Sequence, residues 1–404
     1  MKYSLFILIF SVFFLKNAVA QSNLDSLRIS KEFNNLDAAL KSPENVYRLN
    51  LSNQDYQISE IPWVNFSNLE YLSLKDNHLT QIPVGIGDLK NLQVLDLSGN
   101  DFTVLPSSFN KLSNLQELFM SDDKYLDFQE NISILSLLPN LTSLHIENDD
   151  LNLLPEELNS LNRLESLYLN NNHLKQLPES VGGLENLKVL DLTGNDFEEL
   201  PRSFSELSNL QELFLNDDKF LNFENSISLL SRLPNLRSLH IENDDMKSLP
   251  ENISELVNLE SLYLNNNHLA EIPKGIGELK NLTLLDLSGN DFKVLPSNFS
   301  NLTNLEELFL NDDQYLELEE SIVILSQLPK LKILHIESDG LDSLPGNIGQ
   351  LINLESLYLN NNQFKEWPIE VKDLIHLKYL DVHGNNLALP LGIQQKDYGF
   401  KIRF

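Results

Sequence analysis

The most constraining feature of this chain is the regular return of leucine. Successive units are 23, 26, 23 and 23 residues apart, and they open at Leu92, Leu115, Leu141, Leu164 and Leu187. Together they make a cycle of 95 residues, which recurs from Leu187 to Leu282 and from Leu282 to Leu377. A period in the twenties indicates a solenoid, in which each unit packs only against its neighbours.

One unit, residues 92–114, shows how such a repeat is expected to fold. Its sequence is LQVLDLSGNDFTVLPSSFNKLSN. Leucines at alternating positions predict a short strand with one buried face, so Leu95 and Leu97 point to the core. Phe102 and Leu105 extend this core past the bend. Pro106 then ends the extended segment, and the apolar residues after it predict a short helical or 3-10 return on the opposite side.

The LxxLxLxxN strand and the LPxxIxxL or LPxxFxxL segment after it resemble the leucine-rich-repeat family. The second half is similar to the bacterial, Ras-associated and plant disease-resistance subtypes. Matching units run from about residue 46 to 390, which makes about fifteen repeats. The resemblance implies an α/β solenoid of horseshoe shape. It also implies a concave parallel β-sheet that binds the ligand, and short helical or 3-10 segments on the convex side.

The two ends of the chain differ from the repeats. Lys2, the apolar run 5–15 and the small residues at 18–20 predict a secretory signal peptide over residues 1–20. Residues 21–45 carry apolar side chains at near-helical spacing and predict an N-terminal helical cap. Residues 391–404 alternate apolar and polar side chains from Tyr398 to Phe404, which predicts a closing strand. A sorting signal is the alternative for this tail.

The absence of cysteine bears on the expected location. It excludes disulfides, thiolate metal sites and lipid attachment through cysteine. Exported animal and plant proteins of this size usually carry disulfides, so a signal peptide without cysteine indicates bacterial export. We expect the periplasm, the cell surface or the medium. No stretch after the signal reaches the ~18 apolar residues of a membrane span, so we expect no membrane insertion of the mature chain.

The chain is strongly acidic, with a formal net charge of −30 from 29 basic and 59 acidic residues. Nucleic-acid binding needs a cationic surface, which this composition does not provide. Anionic membrane surfaces are repelled for the same reason. The charge indicates either solubility of a long solenoid or attraction to cationic partners and divalent ions.

A tile of four residues, Asp-Phe-His-Tyr, recurs at the outward position between the two strand leucines. A glutamate follows each histidine by two residues on the same face, and the tile repeats every ~19 Å along a sheet. Exposed aromatic rows are typical of interfaces, so we predict a ligand-binding face; a surface copied passively by duplication is the alternative. The predicted ligand-binding residues are Asp96, Phe119, His145, Glu147, Tyr168, Asp191, Phe214, His240, Glu242, Tyr263, Asp286, Phe309, His335, Glu337 and Tyr358.

Each His-x-Glu pair also offers two of the ligand types that zinc accepts. Successive histidines of the tile lie four strands apart, or ~19 Å, so no two of them can share an ion. A histidine that faces solvent or a partner is therefore the preferred interpretation.

A second pattern lies at the asparagine that ends each strand motif. In the family this buried residue bridges successive turns, but here aspartate replaces it in two units of four. These asparagines form a ladder of hydrogen bonds from turn to turn. An ionised carboxylate cannot donate a hydrogen bond, so at the aspartates the ladder should break or the loop should change course. Neighbouring carboxylates raise a pKa or recruit a cation, so we predict optional calcium binding, with a solvated acidic rim as the alternative. The predicted metal ligands are Asp122, Asp123, Asp149, Asp150, Asp217, Asp218, Asp244, Asp245, Asp312, Asp313 and Asp339.

Sequence motifs of catalysis are missing. The chain contains no GxSxG elbow, no HExxH, no glycine-rich phosphate loop and no cysteine nucleophile. We therefore expect an exported, non-enzymatic protein that binds a protein partner on its concave sheet, in adhesion or in contact with a host or envelope. A carbohydrate or envelope-polymer binder and a calcium-dependent adhesin are the alternatives.

Overall fold

The computed structural model describes residues 31–54, 58–313, 315–388 and 399–404. They form two compact units. The first contains the chain up to Asp149 together with Arg163–Leu167, and the second contains Asp150–Asn162 and Tyr168–Phe404. The predicted signal peptide, residues 21–30 of the predicted cap and residues 391–398 of the predicted tail lie outside the described residues.

Both units are built from parallel strands of two or three residues, one to each repeat. The strands of the described residues are β1 (Glu32–Phe33), β2 (Arg48–Asn50), β3 (Tyr71–Ser73), β4 (Val94–Asp96), β5 (Glu117–Phe119), β6 (Ser143–His145), β7 (Ser166–Tyr168), β8 (Val189–Asp191), β9 (Glu212–Phe214), β10 (Ser238–His240), β11 (Ser261–Tyr263), β12 (Leu284–Asp286), β13 (Glu307–Phe309), β14 (Ile333–His335), β15 (Ser356–Tyr358), β16 (Tyr379–Asp381) and β17 (Lys401–Arg403).

Within each unit, consecutive strands pair in parallel and in register. In the second unit, Leu308 of β13 lies beside Leu334 of β14, which lies beside Leu357 of β15. The central residue of β2 to β16 is always a fully buried leucine. Because successive side chains of a strand point to opposite faces, the residues on either side of that leucine face outward. We call the surface that they form the outward sheet face.

The return segments distinguish the two unit lengths. Units of 23 residues return through 3-10 segments that usually follow a proline, as Ser107–Lys111 follows Pro106. The longer units have room for an eight-residue α-helix instead. The α-helices are α1 (Leu36–Ala39), α2 (Phe128–Leu135), α3 (Phe223–Leu230) and α4 (Leu318–Leu325). The 3-10 segments are Pro43–Asn45, Ile58–Glu60, Trp63–Asn65, Val84–Asp88, Ser107–Lys111, Glu156–Leu161, Glu179–Gly183, Arg202–Glu206, Glu251–Glu255, Lys274–Glu278, Ser297–Asn301, Ile348–Gln350 and Ile369–Asp373.

The core lies between the strands and the return segments of each unit. Phe102, Leu105, Phe109 and Leu112 are buried as the sequence predicts. Strand leucines therefore fill the core from one side, and phenylalanines and leucines of the return segments fill it from the other. The predicted leucine-rich-repeat solenoid, with a parallel sheet and short helical or 3-10 returns, is confirmed.

The described parts of the chain ends are short elements. Residues 31–45 of the predicted cap contain the short helix α1, which Asn35 caps by accepting the N–H of Ala38 at 2.9 Å, and the 3-10 segment Pro43–Asn45. The residues before α1 form β1, which pairs with β2 rather than extending the helix. At the other end, β17 pairs in parallel with β16. The predicted boundaries of the caps stay predictions.

No helix among the described residues combines the length and the apolar character needed to cross a bilayer.

Candidate functional site

The aromatic residues of each tile form a stack of rings on the outward sheet face. Register places Phe309 of β13 beside His335 of β14, and His335 beside Tyr358 of β15. The ring centroids are 3.9 Å apart at an interplanar angle of 13° for the first pair, and 4.3 Å apart at 6° for the second. Strand spacing in a sheet, ~4.8 Å, is close to the spacing of stacked rings, so neighbouring strands favour this arrangement.

The same arrangement occurs elsewhere along the repeats. In the second unit, Phe214, His240 and Tyr263 form a stack with centroid distances of 4.1 and 4.2 Å. In the first unit, Phe119 stacks on His145 at 4.0 Å. We call Phe214–His240–Tyr263 the second stack and Phe309–His335–Tyr358 the third stack.

Stacking corrects the expectation that these rings are freely exposed. The ring faces cover one another, so the side chains are half-buried. Phe214 and His240 are buried outright, with 6% and 5% of their surfaces exposed. A partner on this face therefore meets ring edges rather than a row of open ring faces.

Aspartates separate one stack from the next. Asp286 of β12 lies between Tyr263 and Phe309 in the sheet register. Its carboxylate accepts the N–H of Ser288 at 2.9 Å, and burial raises its pKa. The equivalent residues make the same turn-forming bond: the N–H of Ser98 donates to Asp96 at 3.1 Å, and that of Thr193 to Asp191 at 3.0 Å.

Two glutamates clamp the histidine of the third stack. His335 Nε2 lies 3.1 Å from Glu307 Oε1, and Nδ1 lies 3.3 Å from Glu337 Oε1. Burial alone would lower the pKa of His335, but the hydrogen bonds and charges of the two carboxylates outweigh it and raise the pKa. With both ring nitrogens engaged, the imidazole has no free ligand position for zinc.

His145 of the first unit has the same clamp. Its Nε2 lies 3.2 Å from Glu117 Oε1, and its Nδ1 lies 3.2 Å from Glu147 Oε1. Glu147 also accepts a hydrogen bond from the hydroxyl of Ser121. As with His335, burial opposes the charged imidazole, but the carboxylates prevail and the pKa of His145 is raised.

The histidine of the second stack has a different environment. His240 Nε2 lies 3.3 Å from Glu212 Oε1, whereas Nδ1 has no hydrogen-bond partner among the described residues. Burial dominates and lowers the pKa of His240. Glu242, the counterpart of Glu337, is buried, and burial followed by the charges of nearby aspartates raises its pKa to about 8. The lowered pKa of His240 and the raised pKa of Glu242 both favour the neutral forms of these two side chains.

The clamping residues Glu117, Glu212 and Glu307 were not singled out by the sequence analysis. Each lies two residues before the phenylalanine of its tile, on the same face of the strand, and the three recur 95 residues apart. That recurrence is a signal from which they could have been found.

At the aspartate turn of Asp313, the hydrogen bond that the asparagine oxygen would accept is kept. At an asparagine turn, Asn267 Oδ1 accepts the N–H of Asp244 at 3.0 Å, while Nδ2 donates to the carbonyls of Ile241 and Leu264 at 2.8 and 3.0 Å. At an aspartate turn, Asp313 Oδ1 still accepts the N–H of Asn290 at 2.8 Å. At Asp313 the expectation that the ladder breaks is therefore wrong on the acceptor side, because an aspartate oxygen replaces the amide oxygen. At Asp218, in contrast, neither carboxylate oxygen meets a hydrogen-bond partner among the described residues.

The donor half of the ladder is lost at these aspartates. Asp313 Oδ2 stands where asparagine has its Nδ2, and it has no hydrogen-bond partner among the described residues. Burial raises the pKa of Asp313 to about 9 and that of Asp244 to about 8. A protonated carboxyl can donate to backbone carbonyls as an amide does, so these side chains are neutral acids near pH 7.

The predicted metal ligands divide into two groups. One group lies inside the turns, buried or half-buried, and includes Asp123, Asp149, Asp218, Asp244, Asp313 and Asp339. Across neighbouring turns, backbone N–H groups bind carboxylates, as Asp123 N–H binds Asp149 Oδ1 at 2.6 Å. The other group is exposed at left-handed backbone positions: Asp122, Asp150, Asp217, Asp245 and Asp312. Among the described residues, no group of three or more histidine or acidic side chains is arranged to hold a metal ion.

A second asparagine ladder runs along the start of the repeats, and it was not anticipated. The asparagine before the first leucine of a unit donates to a carbonyl of the preceding unit, as Asn281 does to Val257 at 2.9 Å and Asn304 does to Lys280 at 2.7 Å. Where Lys330 replaces this asparagine, its Nζ donates to Asn304 Oδ1 at 2.7 Å. The Asn-Leu dipeptide that recurs at the start of the units is the sequence pattern that could have predicted this ladder.

Comparison with known proteins identifies relatives of this chain. The family model described as "Leucine-rich repeat region" matches residues 23–170 and 220–342. Two models described as leucine-rich repeat match residues 162–220 and 353–374. Among curated proteins, none matches the chain by sequence.

Solved structures with the same architecture include a leucine-rich-repeat protein of Leptospira interrogans. It is 30% identical with a TM-score of 0.71, and the match covers 93% of this chain and all of that one. TLR13 in complex with the RNA ssRNA13 is 24% identical with a TM-score of 0.60, covering 89% of this chain and 64% of that one. The Drosophila Toll–Spatzle complex is 23% identical with a TM-score of 0.63, covering 84% and 50%. The last two show similarity of fold alone.

Proposed function

We propose that this chain, which belongs to the leucine-rich-repeat family, is a non-enzymatic protein that binds a protein partner on its outward sheet face. The third stack carries the proposal. It presents the edges of three rings and two carboxylates in a geometry set by neighbouring strands. Because these side chains are already ordered, little conformational entropy is lost when they bind a partner.

The chemistry of this face favours a protein over a carbohydrate. Sugars bind aromatic residues mainly through the ring face, and in the stacks the inner faces are covered by other rings. Ring edges and tyrosine hydroxyls beside carboxylates suit the mixed apolar and polar groups of a protein surface. The tyrosine that ends each stack is the natural anchor, because tyrosine is enriched among residues that dominate binding energy.

The test compares two alanine variants of the mature chain. Tyr358→Ala removes the end of the third stack, whereas Ile375→Ala removes an exposed apolar side chain just after the 3-10 segment Ile369–Asp373. Partners captured from envelope and host extracts would be identified and then bound as purified proteins. A partner that binds the wild type and Ile375→Ala, and loses about tenfold or more with Tyr358→Ala, supports the proposal. Equal binding by both variants contradicts it.

Export is part of the same proposal. The sequence of residues 1–20 supports it, because it has the charge and apolar run of a cleaved secretory signal. Expression of the full chain in a bacterium, with fractionation and N-terminal sequencing, tests it. A mature protein that begins near Gln21 outside the cytoplasm is the expected result, and an uncleaved cytoplasmic chain would contradict it.

Calcium stays a separate prediction for the acidic turns, and the donor groups fit it poorly. The inner aspartates bind backbone N–H groups, and the exposed Asp245 already pairs with Lys219 at 2.7 Å. Following the melting temperature while millimolar calcium is added tests the idea. A clear rise would support a cation site, and an unchanged melt would end it.

A further inference from the structure

Each 26-residue unit exposes one aromatic side chain where the chain leaves the sheet. These residues, which we call the aromatic knobs, are Tyr125, Phe220 and Tyr315, with exposed fractions of 63%, 68% and 59%. They recur 95 residues apart, and they are separate from the stacks of the outward sheet face.

An inserted residue explains why the knobs point outward. In a 23-residue unit, the buried Phe292 follows the turn residue Asn290 by two positions. In the longer unit the corresponding buried side chain follows by three, as Leu221 follows Asp218. The extra position is the knob, which leaves the core intact and places an aromatic ring in water.

Backbone hydrogen bonds hold the residues that follow the knobs. After Phe220, the N–H of Leu221 donates to Asp218 O at 3.2 Å, and the N–H of Asn222 donates to Glu198 O at 2.9 Å. After Tyr315, the N–H of Leu316 donates to Asp313 O at 3.1 Å, and that of Glu317 to Lys293 O at 2.7 Å. The backbone that follows each of these two rings is therefore held by hydrogen bonds, which lowers the entropic cost of binding.

The surroundings of the knobs are acidic. Asp217 and Asp312 are exposed three residues before Phe220 and Tyr315, at left-handed backbone positions. The basic residue of the Phe220 loop, Lys219, is engaged by Asp245 at 2.7 Å. With a net charge of −30 over the chain, the knobs lie in a field that attracts cations.

We propose that Phe220 and Tyr315 bind an extended, arginine-rich polypeptide segment. Arginine is the side chain that stacks its planar, weakly hydrated guanidinium on an aromatic face while pairing with a carboxylate. Phe220 and Tyr315 supply the faces, and Asp217 and Asp312 supply the carboxylates. Tyr125 and Asp122 repeat this pair in the first unit.

The spacing of the knobs sets the spacing of the arginines. Phe220 and Tyr315 follow β9 and β13, which lie four strands apart within the second unit. At ~4.8 Å per strand, this separation is ~19 Å, which about six residues of an extended peptide span. Arginines about six residues apart can therefore occupy both knobs at once, and the second contact benefits from the first.

The experiment uses the mature protein and synthetic Gly-Ser peptides that carry two arginines about six residues apart. Binding is followed by fluorescence anisotropy at low salt. The double variant Phe220→Ala/Tyr315→Ala should bind about tenfold more weakly, since each exposed cation–π contact contributes about threefold. Phe220→Leu/Tyr315→Leu keeps apolar bulk and should lose about as much. A peptide with citrulline in place of arginine should not bind.

Two controls separate this proposal from the proposed function and from general charge attraction. Tyr358→Ala, on the sheet face, and Ile375→Ala should leave peptide binding unchanged. Equal binding by the wild type and the Phe220/Tyr315 variants would show attraction by net charge alone and overturn the proposal. Binding of a neutral oligosaccharide that depends on the knobs, without peptide binding, would also overturn it and assign the knobs to carbohydrate.

Discussion

The second and third stacks contain the same residues in the same register, yet the pKa values of their histidines are shifted in opposite directions. His335 is held between Glu307 and Glu337, and its pKa is raised. His240 pairs with a single glutamate, Glu212, is buried, and has a lowered pKa. The duplicated sequence therefore repeats the geometry of the rings but not their electrostatics, because burial depends on how the surrounding side chains pack.

The glutamate after each histidine shows the origin of this difference. Glu337 is partly exposed and stays within reach of His335, so it stabilises the imidazolium. Glu242 is buried, its pKa is raised to about 8, and it leaves His240 Nδ1 without a partner among the described residues. The second stack is thus the more deeply buried one, whereas the third stack keeps two partly exposed glutamates beside its histidine.

The largest expected difference between the stacks is in stability. Phe214→Ala should lower the free energy of unfolding by about 3 kcal/mol, and Phe309→Ala by about half of that, because removal of a fully buried ring costs more. Denaturation followed by circular dichroism, with hydrogen exchange of the strand amides, measures both. Equal losses would show that the two stacks are equally buried in solution.

A second prediction concerns the acidic turn beside the third stack. The folded pKa of Asp313, about 9, exceeds its ordinary value of 3.8, so its contribution to stability declines as pH rises from about 4 through about 9. Asp313→Asn restores the donor and should stabilise the protein by about 1–3 kcal/mol at alkaline pH. Melting temperatures of both proteins between pH 5 and 10 test this. A gap that does not widen with pH would mean that Asp313 is ionised in the native state.

A third prediction compares the two glutamates. Glu337→Gln removes a charged partner of His335 and should cost about 0.5–1 kcal/mol near pH 6. Glu242→Gln replaces a neutral carboxyl by a neutral amide and should change little at that pH, with a gain in stability above about pH 8. Thermal melts of both variants at pH 6 and above pH 8 measure these changes in stability. An equal loss of stability in the two variants would contradict the inference that Glu337 and Glu242 differ in protonation.

The smallest effect is a difference in histidine titration, observed by NMR. The pKa of His335 should lie above 6.5 and that of His240 below it. The stabilising contribution of protonated His335 is complete below about pH 6.5 and is lost as pH rises through the folded value. For His240 the sign is opposite, so stability is lost as pH falls through its lowered value. Coincident titrations would contradict the comparison.

Much of the fold was predictable because leucine spacing carries it. The strand leucines, the return phenylalanines and the number of repeats follow from a pattern that one unit already shows, as Leu95, Phe102 and Phe109 illustrate. The candidate surface was predictable only as a set of outward positions. The burial of Phe214 and His240 depends on how neighbouring units pack, so periodicity alone could not predict it.

By itself, the sequence determined which residues face the core and which face outward, because the side-chain period of a strand and the length of each unit leave no other arrangement that buries the leucines. Only the tertiary structure decided the chemistry of the outward residues. Whether an imidazole or a carboxyl is charged depends on the burial and hydrogen bonds that adjacent turns impose, as His240 and His335 show. Some of these contacts join distant positions, as Glu307 and His335 are 28 residues apart, and there identical residues can have different surroundings.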